Sequence, residues 1–329
     1  EHVQAVIQRE APRGVILQFG GQTPLKLSHH IGPILGTSAD AIDLCEDRDR
    51  FNALLSELDI RKTAAALALN APEAQEKAEA LGFPLLVRPS YVLGGRAMRI
   101  CYDHLDFDEA LQEAFEASGD HPVLLDRFLE GAVEYDVDAL CDGDEVWIAG
   151  IMEHIEAAGV HSGDSTAVIP PVILSEVNRT QIVDIVTRIA LRLKVVGLVN
   201  VQLAVQRGEV YVIEVNPRAS RTVPYVSKAT GIPVARIATR LLLGQRLADQ
   251  TDLEKRGEGM YFIKAPVFPW QRFPGSDVVL GPEMRSTGEV MGVGWSFGEA
   301  YAKALLGAGM TLPESGGVFL SVRDEDKGA

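Results

Sequence analysis

Val210-Tyr211-Val212-Ile213-Glu214-Val215-Asn216-Pro217-Arg218-Ala219-Ser220-Arg221 joins an apolar, β-branched run to a polar end. The run predicts a strand. Alternation along it sets Glu214 and Asn216 on one face and Val215 on the other. A carboxylate and an amide oxygen side by side, followed by two guanidiniums, suit a divalent metal that carries a polyphosphate. The competing reading is an edge hairpin with solvated polar residues and a turn at Asn216-Pro217, and E-x-N-P alone does not separate the two.

The neighbouring sequence supplies a partner strand. Residues 199–205 are again apolar and β-branched, and 206–209 (Q-R-G-E) read as the loop of a hairpin. Gln202 then lies across from Glu214 and Asn216, so three oxygen ligands could converge, a set suited to Mg²⁺ or Mn²⁺. Upstream, 178–193 predicts an amphipathic helix, and 123–128, 133–141 and 146–155 predict strands. Helices are expected over 38–44, 47–58, 72–81 and 105–117, with a strand over 84–87. Residues 14–19 and 33–36 read as strands of an incomplete parallel α/β unit, and 234–243 and 297–306 as helices. The run 317–322 (G-V-F-L-S-V) reads as an opening strand of a further unit. The chain opens at Glu1 with helix-like sequence already under way, as expected of a processed or excised piece.

With 329 residues, 47% hydrophobic and 23% charged, the chain suits an ordinary globular protein of about two domains. Its net charge of −15 argues against a general nucleic-acid binder, though not against a small anionic substrate met by local arginines. No apolar run has the length of a membrane span. Cys45, Cys101 and Cys141 are widely spaced and read as buried thiols of a reducing, cytoplasmic compartment.

Three further patterns could carry chemistry. Arg88 at a strand end, followed by Gly94-Gly95, could fork onto phosphate while backbone N–H groups approach it, or could be a plain turn. No G-x-x-x-x-G-K-[ST] occurs. The loop Gly159-Val160-His161-Ser162-Gly163-Asp164-Ser165 offers donors to a nucleotide; a hydrolytic triad of His161, Ser162 and Asp164 is disfavoured because neighbours on one loop rarely reach that geometry. Glu134, Asp136 and Asp138 share one strand face, as an acid/base or metal pair, a ribose contact, or a solvated edge. His154, on the next strand, is expected to be structural.

Six strings, F-G-G-Q-T-P-L-K-L (19–27), E-D-R-D-R-F (46–51), R-P-S-Y-V-L-G-G-R-A-M (88–98), I-M-E-H-I-E-A-A-G-V-H-S-G-D-S (151–165), E-V-N-P-R-A-S-R-T-V-P-Y-V-S-K-A-T-G (214–231) and L-G-P-E-M-R-S-T-G-E-V-M-G (280–292), span the chain. Through them it resembles the ATP-grasp superfamily and, more closely, the carbamoyl-phosphate synthetase large-subunit family. The resemblance implies an α/β (α+β) ATP-grasp fold, with a partial Rossmann-like pre-ATP-grasp unit before it and a helical, irregular C-terminal extension. The implied units are 1–37 (pre-ATP-grasp), 38–250 (ATP-grasp, with 86–165 clamping the nucleotide between 38–85 and 170–250), 251–308 (end of the carbamoyl-phosphate domain) and 309–329 (start of an allosteric, methylglyoxal-synthase-like domain). One half of such a subunit phosphorylates bicarbonate and the other carbamate. Tyr91-Val92-Leu93, Thr222-Val223-Pro224 and Gly281-Pro282-Glu283-Met284-Arg285 resemble the C-terminal, carbamate-phosphorylating half.

Carried over by motif, the resemblance implies that Arg48, Arg88, Gly94, Gly95, Arg127, Leu129, Glu134, Gly159, Val160, His161, Ser162, Gln202 and Glu214 bind the nucleotide. Gln202, Glu214 and Asn216 would hold the metal, while Arg88, Arg218, Arg221 and Asn216 would serve the transfer. Arg127 stands where some relatives have histidine, with a backbone contact expected, and the segment 25–36 is short of the usual helix and turn. The implied ligase uses ATP and Mg²⁺ (or Mn²⁺), with K⁺ a further candidate, to make carbamoyl phosphate for pyrimidine and arginine biosynthesis. Its implied partners are carbamate, the N-terminal half of the large subunit, a glutaminase small subunit and a second copy in a homo-oligomer. No general base is needed, because carbamate is already an anion. The alternatives are the bicarbonate half, another ATP-grasp ligase such as a biotin carboxylase relative, and a non-catalytic nucleotide-binding scaffold fragment.

Overall fold

The computed structural model describes residues 2–89, 97–119, 121–253, 257, 259–272, 275, 278–311, 313–322 and 327. Gly94 and Gly95 lie outside the described residues. The chain begins with α1 (His2–Glu10) and the short α2 (Gln22–Leu25), which flank a single parallel bridge between Val15 and Ile34. The two strands expected over 14–19 and 33–36 are thus reduced to one bridged pair. Then come α3 (Ala39–Glu46) and α4 (Arg48–Glu57), capped by Ser38 and Asp47, whose side chains accept from Ala41 N and Arg50 N.

The next segment folds as β1 (Ala65–Ala68), α5 (Ala71–Leu81), β2 (Leu85–Pro89), β3 (Arg99–Cys101), α6 (His104–Ser118) and β4 (Val123–Arg127). Its strands form a four-stranded sheet in the order β1-β4-β2-β3. Ala74 and Ala78 of α5, with Phe107, Leu111 and Ala114 of α6, pack on Leu85, Val87 and Leu125. Asn70 and Asp103 cap the two helices, and Gly82 ends α5 with φ 73°, which glycine adopts at no steric cost.

A larger sheet holds seven strands. In chain order its segment runs β5 (Val133–Asp142), β6 (Val146–His154), β7 (Ala167–Ile169), α7 (Glu176–Arg192), β8 (Val196–Gln206), β9 (Glu209–Asn216), α8 (Val223–Thr230), α9 (Val234–Leu242), β10 (Tyr261–Val267), β11 (Gly288–Gly294) and α10 (Phe297–Gly307). The strand order is β11-β10-β7-β6-β5-β8-β9, and every pairing among the described strands of both sheets is antiparallel. Period-2 alternation loads both faces. Tyr135, Val137 and Ala139 meet α4 and α7 on one side, while Leu140, Met152 and Leu198 meet α8 and α9 on the other. Among the described residues no helix is long and apolar enough to cross a membrane.

One further expectation needs correction. Residues 317–322 are irregular, with Phe319 91% exposed. An apolar β-branched run becomes a strand only against an edge it can pair with, and among the described residues this one pairs with none. Of the alternatives left open for the β5 carboxylates, the solvated strand face fails for Asp136 and Asp138, 2% and 1% exposed, which are met by the side chains of His154 and of Asn200, Ser220 and Thr222 respectively.

Candidate functional site

The hairpin of β8 and β9 turns on Arg207-Gly208, both with positive φ (52° and 82°), the two-residue geometry that matches strand twist. Gln202 pairs with Glu214 and Asn200 with Asn216. The register shifts after Gln202, so that Leu203 pairs with Val212 and Ile213 is extra. This bulge turns Glu214 outward while Val215 stays in the core. The Glu214 side chain, which makes no hydrogen bond among the described residues, lines a cavity of ≈ 340 Å³.

Gln202, Asn216, Arg218, Arg221, His161 and Ser162 line the same cavity. Arg218 donates through Nη2 to Asn216 Oδ1 (3.1 Å) and through Nη1 to Ala219 O (3.1 Å), while its Nε is buried with no partner among the described residues. Burial lowers the Arg218 pKa. Arg221 is exposed, with Nη1 against Met284 Sδ. His161 accepts from Gly163 N through Nδ1 (3.0 Å), and burial followed by the Arg221 charge keeps its pKa low, so the ring is neutral with Nε2 protonated. Asp164 does not complete a hydrolytic triad: its oxygens accept from the backbone of Arg285 (2.7 Å) and Ser286 (2.8 Å).

A second cavity of ≈ 140 Å³ adjoins the first along the same strands. Leu86, Ala204, Val212 and Phe51 give it apolar walls, and Arg48, Arg88, Arg127, Leu129, Glu134 and Gly159 also line it. Asp126 draws in the arginines: Arg48 donates to both of its oxygens (2.9 and 3.3 Å) and Arg88 to Oδ2 (3.3 Å). Glu134 Oε1 accepts from Gly159 N (2.9 Å). The Arg127 side chain turns away to Leu81 O (3.1 Å), and its own N–H donates to Ala64 O (2.7 Å). An apolar slot with two guanidiniums and a carboxylate suits a flat heterocycle carrying hydroxyl and phosphate groups. Val160 sits in the same loop as His161, its N–H donating to Ala157 O (3.4 Å).

The structure therefore brings Gln202, Glu214, Asn216, Arg218 and Arg221 to one cavity and Arg48, Arg88, Arg127, Leu129, Glu134 and Gly159 to its neighbour. Sequence reading missed Asp126, Asn200 and Lys264. Asn200 stands two residues before Gln202 and so on the same strand face. Lys264, 1% exposed, is a lone cation inside the apolar run of β10 and donates to Ser162 O (2.9 Å). His154, expected to be structural, lies between two carboxylates: Nε2 is 3.0 Å from Asp136 Oδ2 and Nδ1 3.5 Å from Glu134 Oε2.

As a metal corner the donor set is hard oxygen throughout: the Glu214 carboxylate and the amides of Gln202 and Asn216. No group of three or more His, Cys, Asp or Glu suited to a metal occurs among the described residues. A cation here fits Mg²⁺-type binding through few protein groups plus phosphates, with Arg218 yielding the Asn216 oxygen.

Residues 47–250 match the family model described as carbamoyl-phosphate synthase L chain, ATP binding domain. The chain is 56% identical over 331 residues to the carbamoyl phosphate synthase large chain of Archaeoglobus fulgidus, covering 99% of this chain and 31% of that one. The chain thus spans about a third of the length of this relative. Among solved structures, the biotin carboxylase domain of Hydrogenobacter thermophilus 2-oxoglutarate carboxylase, in complex with MgADP, ADP and bicarbonate, is similar with TM-score 0.68 and 18% identity over 90% of this chain and 73% of that one. The ADP complex of N5-carboxyaminoimidazole ribonucleotide synthetase gives TM-score 0.66 and 16% identity over 85% and 75%.

Proposed function

The chain belongs to the carbamoyl-phosphate synthase large-chain family through its ATP-binding domain and has the ATP-grasp fold, and from that premise we propose that it transfers the γ-phosphoryl group of ATP to carbamate, making carbamoyl phosphate. The observation that carries this reading is the bulged hairpin that aims Glu214 and Gln202 into the cavity lined by Arg218 and Arg221, next to the arginine-headed slot. In this reading adenine lies against Leu86, Val212 and the strand end at Arg127 and Leu129, and a ribose hydroxyl meets Glu134. Arg48 and Arg88 leave Asp126 for phosphate oxygens, and Gly159, Val160, His161 and Ser162 close the loop side. By the resemblance, Gly94 and Gly95 are proposed to contact the nucleotide.

Gln202, Glu214 and Asn216 would hold Mg²⁺ (or Mn²⁺), which neutralises phosphate charge when bound; K⁺ is a further candidate ion. Arg218, with its free Nε, Arg221 and Arg88 stabilise charge on the transferring group, and carbamate attacks without a general base. Carbamate is favoured over bicarbonate by the Thr222-Val223-Pro224 and Gly281–Arg285 strings. We assign 1–37 to a pre-ATP-grasp unit, 38–250 to the ATP-grasp domain, 251–308 to the end of the carbamoyl-phosphate domain and 309–329 to the start of an allosteric domain. The N-terminal half of the large subunit and a glutaminase small subunit are the proposed partners, with self-association also proposed.

The test is ATP formation from carbamoyl phosphate and MgADP. The wild-type chain is expected to catalyse it, and Glu214→Ala to lower kcat by about 10²–10³-fold with the fold intact by circular dichroism. A near-normal rate in Glu214→Ala removes the metal assignment, and bicarbonate-dependent ATP hydrolysis without ATP formation reassigns the chain to the bicarbonate half.

A further inference from the structure

We infer that Asp138 is a positioning residue for this transfer: from the same sheet face as the cavity-lining Asp136 and Asn200 it fixes the turn 216–222, and with it the direction of Arg218 and Arg221. The inference rests on the proposed function for its kinetic consequence and on geometry alone for its structural one. Asp138 sits on β5 opposite Asn200 and is 1% exposed. Its Oδ1 accepts from Asn200 Nδ2 (2.9 Å) and Ser220 Oγ (2.7 Å), and its Oδ2 from Thr222 Oγ1 (2.8 Å). The Ser220 and Thr222 hydroxyls are themselves 2.7 Å apart. One carboxylate thereby ties β8, whose Asn200 pairs with Asn216 at the start of the turn, to the two hydroxyls near the turn's end.

The turn is held from the other side by the N-terminal segment. Ala219 N donates to Gln18 O (3.0 Å). The Gln18 side chain is buried and locked into the start of β8, donating to Val196 O (2.8 Å) and Thr37 Oγ1 (2.9 Å) and accepting from Leu198 N (2.9 Å). Between these anchors the Arg218 guanidinium is fixed by Asn216 Oδ1 and Ala219 O, leaving Nε free. Burying a carboxylate without a cation in hydrogen-bond contact is costly, and an apolar residue of similar volume would serve stability as well or better. What Asp138 adds is direction, because it fixes three donors at once. Misplacing a transition-state contact by about 1 Å costs on the order of 100-fold in rate.

The experiment uses the full chain. Asp138→Asn, Asp138→Ala and the double variant Ser220→Ala/Thr222→Val, which leaves the carboxylate in place, are assayed for ATP formation from carbamoyl phosphate and MgADP. Amide exchange is followed across 216–222. Expected are a kcat about tenfold lower in Asp138→Asn and in the double variant, about 100-fold lower in Asp138→Ala, and a KM for ADP within about twofold of wild type throughout. Exchange at 218–222 should rise about tenfold in all three while β2 and β4 are unchanged. The inference is overturned by a kcat within twofold of wild type in Asp138→Ala, by equal losses of kcat and ADP affinity, or by unchanged exchange in the turn. If the wild-type chain makes no ATP, the proposed function fails, and the exchange measurement alone decides the positioning role.

Discussion

Two neighbouring same-face carboxylates of β5 are buried by different means. Asp138 is met by an amide and two hydroxyls, and burial pushes its pKa up to about 6. Asp136 is met by His154, which Glu134 flanks on the other side. Burial alone would lower the His154 pKa, but the two carboxylates outweigh it and hold the ring at about 9, against an ordinary 6.5. A group whose folded pKa lies above its unfolded one stabilises fully below the unfolded value and loses that contribution as pH rises through the folded one. His154 should therefore contribute about 3 kcal/mol below pH 6.5, lost by pH 9 and slightly above. The Asp138 contribution changes between pH 3.8 and about 6, below that window. Urea unfolding of the wild type between pH 6.5 and 9 should show the decline, and His154→Gln should be less stable at pH 6.5 by about 3–5 kcal/mol and lose the slope. An unchanged slope in His154→Gln would show that another group titrates. At this scale the sequence was legible wherever spacing alone puts groups on one face, as with Glu214 and Asn216. It was silent on Asp126 and Lys264, whose partners come from other elements.

Elements with strong local signals were readable: the capped helices α3 to α7 and the β-branched strands β5, β6, β8 and β9. Five described strands were not foreseen: β1, β3, β7, β10 and β11. β3 and β7 are only three residues long, β10 carries Lys264 and Pro266 inside its apolar run, and β1 (Ala-Ala-Leu-Ala) and β11 (Gly-Glu-Val-Met-Gly-Val-Gly) have compositions that strand propensity disfavours. Their pairing is long-range, β1 with β4 and β11 with β10. The β11 glycines have a packing reason. A Cβ at Gly292 would fall on the Ala300 carbonyl, and one at Gly294 would meet Ala300 N and Glu299, so α10 lies directly on the strand backbone through its own small residues. Gly298, in α10 itself, has open space around it. The same substitution should thus act in opposite directions. Gly292→Ala is expected to destabilise by about 1–3 kcal/mol through overpacking, and Gly298→Ala to stabilise by about 0.5–1 kcal/mol through helix propensity. Urea midpoints at constant m-value check both, and a neutral Gly292→Ala would mean that α10 can move off the sheet without cost.

At the scale of the whole molecule, the fold class came through the motif strings, whereas the sheet order did not, since strand neighbours such as β7 and β10 are far apart in sequence. That order has a consequence for ligand response. The smaller cavity draws Leu86, Arg88 and Asp126 from the four-stranded sheet and Glu134, Ala204 and Val212 from the seven-stranded one. A nucleotide filling it touches both sheets and must stabilise them together. Binding to the folded state alone adds about 2.7 kcal/mol when ligand stands at 100 times its Kd, roughly a 5 °C rise in Tm for a chain of this size. MgADP should therefore raise Tm by about that amount and slow amide exchange in β2 and β4 as well as in β5, β8 and β9. Arg88→Ala should reduce the rise at equal ADP concentration, because Asp126 is left with Arg48 alone and one phosphate contact is lost. Protection confined to a single sheet would place the nucleotide outside this cavity, whereas joint protection that weakens in Arg88→Ala ties both sheets to one ligand.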